Sequence, residues 1–291
     1  MNESNGQPGD NISQILFGLG LVIAIYLSFL FIEIMYKYIN RLSMNRTQLL
    51  PYRYNTEDRS ITISQNPNFP DSKSVYFSNN ERSGIEFSYS FYLYVHASTF
   101  KQELGLLHIF HKGYPKQFPL LAPGVYMRSD TNTLRIYMNT YKSWNKYVEV
   151  DNFPIGKWVH TVIVCKENAL EIFINGNLSK KMPFEGFVPY QNYQDIICFS
   201  QRVIKIKTDE DVMVEDCPKG ASYDQAHKQC NMQIFGVMKG MISRLDYFSY
   251  ALGYAEIQQL MNEGPSTKAD DSLNTTNVPP YLDDTWWAKG Y

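Results

Sequence analysis

The residues best suited to chemistry sit close together late in the chain. Asp209-Glu210-Asp211 is followed by Glu215-Asp216, the densest run of oxygen ligands in the sequence. Carboxylates of this kind suit Ca²⁺, which makes Asp209, Asp211, Glu215 and Asp216 the calcium candidates, although a solvated charged loop has the same composition. No other cofactor is expected. Directly after this run, Cys217 and Cys230 bracket CPKGASYDQAHKQC, an insertion that a disulfide would staple in an oxidising compartment. Cys165 and Cys198 lie in apolar runs and read as small buried hydrophobes. Zinc is not expected, because there is no Cys-x-x-Cys and only His227 accompanies the pair. His108, His111 and His160 have no Ser or Cys context for nucleophilic catalysis, and His160 reads as hydrogen-bonded within the fold. No catalytic residue is expected.

Aromatic residues are the second resource: 22 Tyr, 17 Phe and 4 Trp. Tyr92, Tyr94, Tyr137, Tyr141, Trp144 and Tyr147 could form a stacking surface for a glycan or a partner. Equally, they could pack against one another across neighbouring strands. The polar segment at the end of the sequence carries Tyr281, Trp286, Trp287 and Tyr291. Paired Trp is costly in water, so this tail is expected to dock, on its own domain or on a partner.

The elements that must position these groups are mostly strands. Glu86–His96 alternates, with Phe87, Tyr89, Phe91, Leu93 and Val95 on one face and Ser88, Ser90, Tyr92, Tyr94 and His96 on the other. Thr133–Asn139 alternates likewise. Trp158–Cys165 and Ala169–Ile174 form a hairpin, and Asn175-Gly176 turns tightly into Leu178–Met182. Gly240–Tyr250 is a last strand, followed by a short helix over Tyr254–Asn262 with Ile257, Leu260 and Met261 as its apolar stripe; Gly264-Pro265 stops it. Short strands punctuated by Asn, Gly, Pro and Asp predict a mainly β, two-sheet antiparallel sandwich.

Ahead of the strands, Ile15 to Ile32 is uncharged and apolar, and with its flanks it predicts a transmembrane helix over residues 12–38. Tyr26, Tyr36 and Tyr38 suit the interfaces, and Glu33 lies near the end of the run. The first eleven residues hold no Lys or Arg and no small-residue cleavage site follows, so an anchor is expected rather than a cleaved signal. Lys37, Arg41, Arg46 and Arg53 follow the helix, which places the large domain on the cytosolic side. The organisation is therefore a polar start (1–11), the helix (12–38), a juxtamembrane linker (39–59), the sandwich (60–265) and an extended tail (266–291). A net charge of −2 offers no global field for nucleic acid.

FPIGKWVHTVIVCKENALEIFINGNLSKKMPF, at Phe153–Phe184, resembles the laminin-G-like branch of the concanavalin A-like lectin/glucanase superfamily. FSYSFYLYV upstream and ISRLDYFSYALGYAEIQQLMNEGP downstream match in order, so the resemblance spans about residues 60–265. It implies a concanavalin A-like jelly roll, with Trp158 capping the core, Gly156 and Gly176 at tight turns, and the closing helix covering one open end. Hydrolases of that superfamily carry Glu-x-Asp-x-x-Glu on a strand, a triplet absent here, so no enzyme is expected. Together with the anchor, the sandwich also resembles membrane-anchored proteins of large DNA viruses. That likeness implies a structural, minor capsid or virion membrane protein that touches coat proteins and the bilayer, the domain facing the capsid from an internal membrane. The alternative is a membrane-anchored lectin that binds carbohydrate.

Overall fold

The computed structural model describes residues 8–69, 72–76, 78, 85–100, 105–114, 120–141, 146–166, 168–184, 188–206 and 232–270. The chain divides into two compact units, residues 1–45 and 46–291.

The first unit is one helix, α1 (Pro8–Met44). Within it Ser13–Lys37 is long and apolar enough to cross a membrane; its most apolar 18 residues have a mean hydropathy of 2.7, and none of them is buried. Its 25 residues rise about 37 Å at ~1.5 Å each, more than a hydrocarbon core of about 30 Å. Ile15, Phe17, Phe29, Phe31 and Ile34 all stand exposed. Near its end Lys37 donates to Glu33 one turn earlier, at 2.7 Å.

The second unit is mainly β, with two sheets and one short helix. Its strands are β1 (Arg46–Asn55), β2 (Ile61–Ile63), β3 (Phe87–Val95), β4 (Leu106–Tyr114), β5 (Leu120–Arg128), β6 (Leu134–Tyr137), β7 (Tyr147–Val150), β8 (Trp158–Lys166), β9 (Ala169–Ile174), β10 (Asn177–Pro183), β11 (Ile196–Cys198), β12 (Val203–Ile206), β13 (Met232–Val237) and β14 (Gly240–Phe248). The short helix, α2, is Tyr254–Glu263.

One sheet has six strands in the order β1-β14-β3-β8-β9-β10. The other has eight: β12-β13-β4-β5-β6-β7 in line, with β11 joining β4 and β2 joining β11. Among the named strands every pairing is antiparallel except β13 with β4, which is parallel. The alternation expected along β3 holds: Phe87, Tyr89, Phe91, Leu93 and Val95 belong to the interior cluster. From the other sheet they meet Leu107, Phe110, Val125, Leu134 and Ile136, with Phe91 and Phe110 edge to face at 5.3 Å. Asn175 and Gly176 have φ of 46° and 77°, the left-handed pair that a tight hairpin between β9 and β10 requires.

Three expectations need correction. Residues 46–55, read as part of a linker, form β1, which pairs with β14 from Arg46↔Phe248 to Asn55↔Met241. Leu49 and Leu50 are both buried because the register slips between Gln48 and Leu50, which hides the alternation a strand normally displays. Pro51 is tolerated because β1 is an edge strand. Trp158 does not cap the interior: it pairs with Tyr94, ring centroids 5.6 Å apart, on the face of β8 opposite to Val159 and Ile163. Finally, α2 does not close an end of the sandwich. It lies on the outer face of the six-stranded sheet, where Tyr92 donates from its hydroxyl to the carbonyls of Leu260 (2.7 Å) and Met261 (2.8 Å).

Candidate binding surfaces

The outer face of the six-stranded sheet is structural. Ser90 and His160 share a hydrogen bond of 2.9 Å, and His160 stacks on Tyr92 at 4.8 Å. Burial pushes the His160 imidazole down to about 4, so it is neutral at pH 7. Beside them a charge cluster ties β1, β14 and α2 together. Arg46 donates to Asp246 at 2.6 Å and to Glu263 at 3.0 Å, and Arg244 donates to Glu263 at 2.8 Å. The Asp246 side chain is only 2% exposed and its Oδ1 has no partner. Burial raises its carboxyl to about 6 in spite of Arg46. A carboxyl near 6 beside a second carboxylate can resemble a catalytic pair. Here, however, both carboxylates are occupied by the arginines that hold the helix.

The face of the eight-stranded sheet turned away from the interior carries two cross-strand rows. Register places His108, Tyr126, Arg135 and Glu149 in one, and His111, Gly124, Tyr137 and Tyr147 in the other. Rings run along these rows: His108–Tyr126 at 5.5 Å, Tyr126–Tyr137 at 5.7 Å and Tyr137–Tyr147 at 5.4 Å. Arg135 sits 4.4 Å over the Tyr147 ring and donates to Glu149 at 2.7 Å. Proton positions in the histidine pair follow from their partners. The Ser200 N–H donates to His108 Nδ1, so His108 carries its proton on Nε2 and donates to His111 Nδ1 at 2.6 Å. His111 must then hold its proton on Nε2, which has no partner, and the Tyr126 hydroxyl is likewise unpaired. Burial lowers both imidazoles, His111 to about 4 and His108 well below its ordinary value. Neither is a charged acid at pH 7.

The stacking surface expected from the sequence is therefore not one surface. Tyr92 and Tyr94 belong to the six-stranded sheet; Tyr137 and Tyr147 belong to the other. Tyr92 and Tyr137 are buried, Tyr94 and Tyr147 half-buried, and Trp144 lies outside the described residues. What the structure does expose is a different group. Tyr141 (72% exposed) meets the half-buried Tyr190 ring edge-on at 5.3 Å, and Tyr193 (71% exposed) follows Tyr190 three residues later in the same loop. These loops are anchored from below. Tyr190 N–H donates to the Asn139 carbonyl and Tyr141 N–H to that of Val188, while buried Asn192 donates to the Lys112 carbonyl at 3.0 Å. Lys112 Nζ donates to the Gln194 carbonyl at 2.7 Å, and burial lowers that ammonium to about 8. Tyr141 was visible in the sequence as one aromatic among many. Tyr190 and Tyr193 were missed, since nothing local marks one loop tyrosine as packed on Tyr141 or another as exposed.

A cavity of about 210 Å³ opens where β1 turns into β2. Arg53, Tyr54, Asp58, Arg59, Met241 and Asp270 are among its walls. Its far side is made by residues 268–270, which join the free edge of β1: Arg53 N–H donates to the Lys268 carbonyl and Asp270 N–H to the Arg53 carbonyl, both at 2.9 Å. Arg59 pairs with Asp270 at 3.1 Å, and Asn55 donates to Asp58 at 2.9 Å. Burial holds the Tyr54 phenol up at about 12.

Among the described residues no group of three or more His, Cys, Asp or Glu could hold a metal. The calcium candidates Asp209, Asp211, Glu215 and Asp216, the pair Cys217 and Cys230, and the tail residues Tyr281, Trp286, Trp287 and Tyr291 lie outside the described residues. Cys165 and Cys198 are buried free thiols, both pushed upward by burial.

No family model and no curated protein matches the chain. Among solved structures it is similar to the receptor binding domain of botulinum neurotoxin D, with a TM-score of 0.47 and 13% identity, over 72% of this chain and 43% of that one. It is similar also to the binding domain of Paraclostridial Mosquitocidal Protein 1, with a TM-score of 0.45 and 15% identity, over 72% and 42%. A third is the botulinum neurotoxin serotype D ligand binding domain in complex with N-acetylneuraminic acid, with a TM-score of 0.40 and 13% identity, over 62% and 37%. The chain spans less than half the length of each of these three, and likeness at this level assigns no family.

Proposed function

We propose that this chain is a membrane-tethered, non-catalytic binding module. The observation that carries the reading is the helical segment Ser13–Lys37, uncharged and apolar from Ile15 to Ile32 and without a buried position. Side chains of that kind are stable in lipid and not in water, so the helix serves as an anchor and the sandwich as its cargo. Support for binding over catalysis lies in the titratable groups. His108, His111 and His160 are buried and neutral, and the Asp246–Glu263 pair is closed by two arginines. In its finer form the reading is of a structural component of a virion membrane, a minor capsid protein contacting coat proteins. The positive flank, Lys37, Arg41, Arg46 and Arg53, favours the cytosolic side for the large domain.

A second reading, a membrane-anchored lectin, has its own support in Tyr141, Tyr190 and Tyr193. Tyr141 and Tyr193 are exposed and Tyr190 is half-buried; tyrosines on anchored loops offer flat apolar faces with hydroxyls, which suit either a sugar ring or a protein partner. Both readings use the same surface, so one experiment separates them. A photo-crosslinking amino acid at Tyr141 or Tyr193, in the native membrane, should give a recurrent adduct with one structural protein, lost in the Tyr190→Ala background. Saturable binding of a defined glycan by the purified full chain, abolished by Tyr141→Ala, would instead favour the lectin. Neither outcome, with substrate turnover present, would overturn both.

A further inference from the structure

We propose that the cavity beside β1 is the docking site for the chain's own tail, and that it receives an indole of the Trp286-Trp287 pair. Size is the first argument. A dry protein cavity of roughly 150 Å³ holds benzene, and scaling by the nine heavy atoms of indole against six gives about 225 Å³. The cavity measures about 210 Å³.

Chemistry is the second argument. Indole needs an apolar slot, an acceptor for its single N–H and, at best, a cation over its face. Ile61, Met241, Ala269 and the Tyr54 ring supply apolar walls, and Asp58 and Asp270, which already accept from Asn55 and Arg59, add carboxylates to the lining. Arg53 and Arg59 bring two guanidinium groups, and the Arg53 guanidinium makes no ion pair among the described residues. The four charged side chains sum to zero, which suits a neutral ring better than an anion.

Position is the third argument. The chain enters the segment 271–291 from Asp270, itself a wall of the cavity. Fifteen residues, 271–285, separate that wall from Trp286, up to about 50 Å of extended chain, so the indole can return to the cavity with length to spare. Residues 268–270 have already joined the open edge of β1, and docking would cover more of it. Unlike the loop tyrosines, this surface has its occupant tethered beside it. A partner reaching β1 must displace the tail.

The test uses the full chain in detergent micelles and two readouts. Methionine oxidation at Met241 reports the cavity, and chymotryptic cleavage after Tyr281 or Leu282 reports the tail. In Trp286→Ala/Trp287→Ala both should accelerate by about fivefold or more, because each follows the population of the open form. Filling the cavity with Ala269→Trp should speed tail cleavage while Met241 stays protected. Unchanged rates in the double variant would overturn the proposal. So would faster tail cleavage without faster Met241 oxidation, since the indoles would then dock elsewhere. Neither result bears on the membrane-tethered reading, which is measured by crosslinking and membrane association.

Discussion

Replacing Arg46 by Met should destabilise the sandwich strongly at neutral pH and much less in mild acid. Arg46 is the main cation facing Asp246, whose side chain is 2% exposed. The Asp246 carboxyl stands at about 6, against about 3.8 for the free side chain, so holding it charged at pH 7.5 already costs about 3 kcal/mol (2.2 × 1.36) with Arg46 present. Its folded value is raised, so its contribution improves as pH falls through 6 towards 3.8. Removing Arg46 leaves Asp246 with Arg244 and Lys73 as neighbouring cations and drives its carboxyl higher still. Breaking a buried pair from one side costs about 3–5 kcal/mol. At pH 5 the stranded carboxyl takes a proton, and the deficit should shrink by about half or more. Adding Asp246→Asn to the Met variant should recover most of the loss at pH 7.5. The assay is urea unfolding of the full chain in micelles, followed by far-ultraviolet circular dichroism at both pH values. A loss below about 1 kcal/mol, equal at the two pH values, would refute the reasoning, because the pair would then behave as an exposed one.

Tyr92→Phe should cost about 1–2 kcal/mol in the same unfolding assay by removing the hydroxyl that holds the Leu260 and Met261 carbonyls, and should leave partner or glycan binding unchanged. Phe91→Ala, in the centre of the interior, should cost about 3–5 kcal/mol by urea titration. Gly176→Ala should cost roughly 1–2 kcal/mol in thermal unfolding, because its φ is 77° and an added Cβ meets the Gln258 amide. Acidification should destabilise the fold between pH 6.5 and 4. The buried His111 and His160 stand at about 4, so the unfolded chain takes up protons in that window before the folded one does. Each loses about 3 kcal/mol, and Asp246 returns roughly 2–3. A urea midpoint that holds or rises between pH 6.5 and 4 would contradict this balance.

Legibility in the sequence followed the range of the interactions. The strands of β3, β8 and β9, the Asn175-Gly176 turn and α2 were readable because alternation, a hairpin dipeptide and a Gly-Pro stop are local signals. Strand β1 was not, since its slipped register buries two adjacent leucines and its partner β14 lies nearly two hundred residues away. The parallel match of β13 with β4 also depends on a remote pairing. For the same reason Tyr92 and Tyr137 looked like neighbours on one surface, whereas the chain sends them to different sheets. The Arg46–Asp246–Glu263 cluster joins residues 200 or more positions apart, and no spacing rule finds it.

The most direct measurement compares the full chain with residues 46–291 for membrane association after an alkaline wash. The full chain should float with lipid vesicles and resist extraction. Residues 46–291 should stay in the aqueous fraction with the same β-rich circular dichroism. A full chain that washes free, or a 46–291 fragment that cannot fold without the apolar helix, would contradict the tethered-module account.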